Sequence, residues 1–181
     1  MNKHKGRTPQ SKELQEKLNS IMRVLMDLRK MLQYYLGTYS RYIGKAAEQL
    51  TASVISKIGQ RGGIEIDGIF IRPIKILSRN VKSDNYEIDL IGVDEENNIW
   101  IVETTTYPIF DEGLAHKIYR RINRWYSKNG QKPCFILFAY GGIERGISLR
   151  LEKDLKEICK QVIILDKIQS RALLRLLDEE F

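Results

Sequence analysis

Residues 85–107 read NYEIDLIGVDEENNIWIVETTTY, and this stretch decides the fold. Two apolar runs, Tyr86–Val93 and Ile99–Thr106, flank the polar segment Asp94–Asn98, which is the pattern of a β-hairpin. Each predicted strand carries a carboxylate in apolar surroundings, Asp89 in the first and Glu103 in the second. A charge is kept in such a strand only where it is paired or binds a cation. In the second strand Ile99, Ile101, Glu103 and Thr105 share one face, and Trp100, Val102 and Thr104 share the other. Both faces are apolar up to Glu103, as in a central strand covered on both sides. A hairpin of this length brings Asp89 beside Glu103, where two bare carboxylates repel each other. A divalent cation such as Mg²⁺ relieves that repulsion and takes hard oxygen ligands of this kind.

The flanking sequence supplies the rest of a domain over residues 39–181. A helix over Tyr39–Ile58 carries Ile43, Ala46, Ala47, Leu50, Val54 and Ile58 on one side, and a strand is predicted over Ile64–Pro73. After the hairpin come a helix over Asp111–Lys128, stopped by Asn129-Gly130, and an apolar strand over Cys134–Tyr140. Gly141-Gly142 reads as a turn, then a helix over Leu149–Lys160, a strand over Gln161–Asp166 and a helix over Ile168–Asp178. This order predicts an α/β fold in which a mixed central sheet is flanked by helices.

Two segments precede that domain. Residues 1–12, with His4, are polar and basic and predict a disordered tail. Over residues 13–38, Leu14, Leu18, Ile21, Leu25, Leu28, Leu32 and Tyr35 form a heptad seam. Ser11 is the expected N-cap, and Gly37 is expected to end the segment or bend it. A sustained 3.5-residue repeat selects a helical partner, so a coiled coil and a homodimer through this helix are expected, the alternative being packing on the chain's own domain. Met22, Met26, Met31 and Leu36 widen the stripe.

Composition narrows the partner. The 181 residues are 43% hydrophobic with a net charge of +7, ordinary globular material whose basic balance suggests nucleic acid. Two cysteines, Cys134 and Cys159, fall in a predicted strand and helix and read as buried thiols. No apolar run approaches a membrane span and the N-terminus lacks an apolar signal region, so a cytoplasmic protein is expected. On the helix Asp111–Lys128, Leu114, Ile118, Ile122 and Trp125 make the core stripe. Lys117, Arg121, Arg124 and Lys128 run beside it, broadened by Arg120, and such a row either tracks phosphates or is a solvated face.

The carboxylates together with the element order resemble the PD-(D/E)XK nuclease superfamily, whose restriction endonuclease-like core is a helix bearing a glutamate, a β-meander and a following helix and strand. Here Glu48 lies in the helix, Asp89 in the second strand and Glu103-Thr104-Thr105 in the third, and the resemblance covers roughly residues 39–140. It implies a Mg²⁺- (or Mn²⁺-) dependent endonuclease acting on DNA. Asp89, Glu103 and the backbone carbonyl of Thr104 would be metal ligands, and Glu48 an additional or water-mediated one. The chain departs from the motif at Thr105, which stands where the family has a lysine and carries no positive charge. Lys45 and Lys117 are the candidates to replace it. Three readings follow: an active nuclease, a catalytically degenerate relative that binds nucleic acid without cutting, and a coiled-coil assembly protein that binds another protein.

Overall fold

The computed structural model describes residues 9–83 and 86–178, and its elements in chain order are α1 (Pro9–Gln60), β1 (Ile64–Ile66), β2 (Ile69–Ile71), β3 (Lys75–Ser83), β4 (Tyr86–Val93), β5 (Ile99–Thr105), α2 (Glu112–Asn129), β6 (Cys134–Ala139), α3 (Arg145–Ile158), β7 (Gln161–Leu165) and α4 (Lys167–Asp178). The hairpin β4–β5 turns where the polar segment predicts, and Asp94 holds it. Asp94 Oδ1 accepts the backbone N–H groups of Glu96 and Asn98, each at 2.9 Å, and Oδ2 accepts the Trp100 indole N–H at 2.9 Å. Asn97 supplies the left-handed residue at φ 60°. Because Asp94 and Trp100 are both buried, truncating the carboxylate strands an indole donor away from water. Asp94→Ala is therefore expected to lower unfolding free energy by about 2–4 kcal/mol, read as a shift in urea midpoint.

The main sheet has five strands in the order β3-β4-β5-β6-β7. β3–β4 and β4–β5 are antiparallel, while β5–β6 and β6–β7 are parallel, with α2 and α3 as the two crossovers. The strictly alternating β6 shows how the layers form: Cys134, Ile136 and Phe138 pack with the α1 and α4 side, whereas Phe135, Leu137 and Ala139 pack with α2 and α3. Both cysteines are free and buried, as expected. Burial, followed by the neighbouring Cys134, pushes the Cys159 thiol up to about 12, which leaves it a packing residue rather than a nucleophile.

Several boundaries differ from the sequence expectation. Ile64–Pro73 is not the first strand of the sheet; it folds into the separate hairpin β1–β2, because Asp67 and Gly68 both adopt positive φ and turn the chain after three residues. The meander's first strand is β3, whose side chains are mostly exposed along a sheet edge. Ser11 and Gly37 lie inside α1 rather than at its ends. A glycine in a helix costs about 1 kcal/mol, and at Gly37 that cost is spread over a 52-residue element. His4 and the rest of the predicted tail through residue 8 lie outside the described residues, while Pro9–Lys12 already belong to α1.

The chain divides into two compact units between Tyr42 and Ile43. In the first unit the helix leaves its seam exposed, from Leu14 (72% exposed) through Leu25, Leu28 and Leu32. In the second, the face of α1 that is buried carries Ala47, Thr51, Val54, Ile55 and Ile58. Leu50 and Ile43, expected on that face, are instead exposed.

Candidate active site at the open end of the hairpin

The β4–β5 ladder ends at Leu90↔Val102. Two positions further along, the strands part, and a side chain replaces the backbone acceptor: Asp89 Oδ2 accepts the Thr104 N–H at 2.7 Å. Ile88 and Leu90 are two residues apart, yet Ile88 packs with the α2/α3 side and Leu90 with the α1/α4 side. A regular strand would place both on one face, so β4 changes face at Asp89. This opening sits where the sheet switches from antiparallel to parallel pairing, at the carboxyl ends of β5 and β6.

Glu103 lies on the α2/α3 face beside this opening and is only 2% exposed. Its Oε2 accepts a guanidinium N–H of Arg121 from α2, and its Oε1 is buried without a hydrogen-bond partner among the described residues. Burial, then the charge of Asp89, pushes the Glu103 carboxyl well above its ordinary range, with Arg121 and, more weakly, the Asp89 backbone N–H opposing. Asp89 is pushed up to about 6, by burial first; the Thr104 amide opposes the shift and Glu48 adds to it. Glu48 is half-buried on α1 and is itself raised by burial and by Glu87, against Lys45 and Lys82. The structure thus brings Asp89, Glu103 and Glu48 into one electrostatic neighbourhood.

The raised Asp89 value has a consequence for stability. Between its ordinary 3.8 and about 6 the folded chain holds a proton that the unfolded chain has released. The associated stability is fully present below the lower value and is lost as pH rises through the upper one. In EDTA, Asp89→Asn is expected to raise unfolding free energy at pH 7.5 by about 2–3 kcal/mol, a gain that vanishes near pH 4. Chemical denaturation of both proteins at the two pH values checks it.

The remaining predicted residues separate by role. Thr105 Oγ1 donates to the Tyr107 carbonyl at 3.1 Å, which ties down the strand exit. Thr104 Oγ1 donates to Thr51 Oγ1 at 3.0 Å, and Thr51 lies 3.1 Å from the Tyr140 hydroxyl. The sequence reading misses this chain of hydroxyls, which joins α1, β5 and the end of β6; its signal is Thr51, a polar residue one turn from Ala47 and Ile55 in a buried stripe. Gly141, expected only to turn the chain, also lets two backbone segments meet. An added Cβ there would stand 2.5 Å from the Thr106 carbonyl oxygen and from the Tyr107 carbonyl carbon. The segment that follows Glu103–Thr105 is therefore seated against a position where only glycine fits.

Arg121 stands apart from its row. Expected in a phosphate-tracking row, it is turned inward onto Glu103, because its position three after Ile118 and four before Trp125 puts it at the edge of the buried stripe of α2. It is also the cation that acts most strongly on Asp89 and Glu103, rather than Lys45 or Lys117. Lys117, Arg120, Arg124 and Lys128 are exposed. Lys128 Nζ approaches Ser83 Oγ at 3.4 Å and stands 5.5 Å from the Tyr86 ring centroid, tying α2 to the β3–β4 hairpin.

Among the described residues no group of three or more His, Cys, Asp or Glu side chains is placed to hold a metal ion. A pair of carboxylates remains. The unpartnered, buried Glu103 Oε1 and the adjacent Asp89 are hard anionic donors whose mutual repulsion a divalent cation would relieve. The chemistry of this donor pair fits Mg²⁺ or Mn²⁺.

No protein-family model and no curated protein matches the chain. Solved structures similar to it include a repair endonuclease from Pyrococcus abyssi (21% identity, TM-score 0.41), in a match that covers 50% of this chain and 37% of that one. EndoMS in complex with dsDNA is similar at 19% identity and TM-score 0.40, over 52% of this chain and 37% of that one. SfsA of Pyrococcus furiosus in complex with Ca²⁺ is similar at 12% identity and TM-score 0.37, over 64% of this chain and 55% of that one. The chain thus spans little more than a third of the length of the two endonucleases. Its own element order is a helix, an antiparallel meander, a crossover helix and a parallel strand. No helix among the described residues is long and apolar enough to cross a membrane.

Proposed function

We propose that the chain is a divalent-metal-dependent DNA endonuclease whose site is built on Asp89 and Glu103. One observation carries the reading: the buried Glu103 and the half-buried Asp89 carboxylates interact where the hairpin opens, and Glu103 Oε1 has no hydrogen-bond partner among the described residues. Asp89, Glu103 and the Thr104 carbonyl would hold Mg²⁺ or Mn²⁺. When bound, that cation acidifies water and neutralises charge building on a phosphate. The Thr104 N–H fixes the Asp89 carboxylate so that its orientation does not depend on solvent. Arg121 supplies the positive charge that Thr105 cannot, but a guanidinium stays protonated, so it can stabilise an anion and cannot serve as a base. Lys117, Arg120, Arg124 and Lys128 would contact the DNA backbone, as a sequence-independent and salt-sensitive term. Salt titration of duplex binding is expected to give a shallower slope in Lys117→Ala/Arg120→Ala, by about one to two counterions.

A second reading has its own support. Thr105 in place of the motif lysine, and Arg121 seated on Glu103, both suit a nuclease-like protein that binds DNA without cutting. The test that separates the two is cleavage of single-stranded, duplex and branched DNA in Mg²⁺ or Mn²⁺, beside Glu103→Gln and Thr105→Lys. Cleavage by the natural chain supports the first reading, whereas cleavage by Thr105→Lys alone supports the second. The exposed seam of the N-terminal unit supports a homodimer, which would supply two such sites.

A further inference from the structure

An ion pair that merely fills a buried site satisfies the carboxylate on both oxygens, and arginine is built to do so with two parallel N–H groups. The Glu103–Arg121 pair does not. Arg121 reaches one oxygen, and the other, Oε1, is buried with no hydrogen-bond partner among the described residues. The two side chains also differ in surroundings: Glu103 is 3% exposed at its side chain and Arg121 33%. The carboxylate is held in the sheet, while the guanidinium arrives from the edge of the buried stripe of α2 on a long side chain that is still partly exposed. Asp89 adds a second negative charge and already spends one oxygen on the Thr104 amide. The pair of carboxylates requires a counter-charge, and in this arrangement it is Arg121.

From this geometry we infer that Arg121 is a retractable counter-ion, occupying Glu103 when no metal is bound and giving way to a divalent cation that takes the same carboxylate. The inference rests on the metal-site reading above. A guanidinium released from Glu103 keeps its charge and its donors and remains within reach of the opening, where a DNA phosphate is the anion it would meet. Metal and Arg121 then compete for one ligand, and removal of either strengthens the hold of the other.

Mn²⁺ binding to the full chain, followed by the electron paramagnetic resonance of free Mn²⁺, tests this without any cleavage assay. Arg121→Gln is expected to bind Mn²⁺ about tenfold or more tightly than the natural protein, and Glu103→Gln to lose binding. On the natural protein, Mg²⁺ is expected to shift the Arg121 guanidinium resonance in a ¹⁵N spectrum, assigned by its absence from Arg121→Lys, so the competition is readable even where Arg121→Gln is too unstable to titrate. Equal or weaker Mn²⁺ binding by Arg121→Gln overturns the inference and leaves the metal site standing, as does an Arg121 resonance that Mg²⁺ does not move. If neither the natural protein nor Arg121→Gln binds Mn²⁺, the metal-site reading fails and the inference falls with it.

Discussion

Asp89→Asn and Glu103→Gln are each expected to reduce Mg²⁺- or Mn²⁺-dependent DNA cleavage by about 10³-fold or more. On the proposed reading each removes an anionic ligand from a site where a bound metal would contribute several kcal/mol of charge stabilisation, and every increment of about 1.36 kcal/mol is tenfold in rate. The two substitutions are isosteric, so neither opens a cavity. In Asp89→Asn the new amide oxygen can still accept the Thr104 N–H, which keeps the strand opening in place. The same substitution relieves a buried charge that burial and Glu48 push towards protonation, so this variant is expected to be more stable near neutral pH while being inactive. That opposition is the useful part. A loss of cleavage together with a higher melting temperature excludes unfolding as the cause and assigns the residue to function, since active sites hold groups that the fold alone would not choose. Retained cleavage in Asp89→Asn, with Glu103→Gln inactive, would remove Asp89 from the ligand set. Retained cleavage in both would move the chemistry elsewhere in the chain.

Much of this arrangement can be read from residues, and the failures have physical causes. The hairpin is legible because Tyr86–Val93 and Ile99–Thr105 are buried enough to be apolar and their turn is closed by Asp94, a residue type that binds its own backbone. β3 is not legible. Lys75, Arg79 and Lys82 lie on an exposed edge strand, where charged side chains block further pairing and erase the alternation that marks a half-buried strand. The apolar run Ile64–Pro73 takes its place in a reading by apolar pattern that passes over Asp67-Gly68, a dipeptide of two-residue hairpin loops whose residues both take positive φ here. Within the site, Asp89 and Glu103 stand out as charges in apolar strands. Arg121 does not, because a row of basic residues at helical spacing looks uniform. Only the position of each residue relative to Ile118, Ile122 and Trp125 distinguishes the arginine that must pair inward from those that stay in water.

The second large effect concerns the N-terminal unit. Leu25→Asp together with Leu28→Asp is expected to leave the chain monomeric, with a sedimentation mass near the 21.1 kDa of one chain, whereas the natural protein is expected to sediment as a dimer. Leu18, Leu25 and Leu32 alternate with Leu14, Ile21, Leu28 and Tyr35 at heptad spacing, and all of them are exposed in the single chain. Apolar side chains at this density in water form a patch of the size that monomers avoid. Burying a leucine contributes about 1.5–3 kcal/mol. The loss of four leucines across a two-fold interface therefore removes roughly 6 kcal/mol or more, on the order of 10⁴ in Kd. Four carboxylates facing one another in the seam add to that. The compact α/β unit begins at Ile43 and has its own core, so its melting transition is expected to persist in the variant. Persistence separates a lost interface from a lost fold. A natural protein that sediments as a monomer at tens of micromolar would refute the seam as a self-association surface, and a double variant that keeps the dimer mass would place the contact outside it.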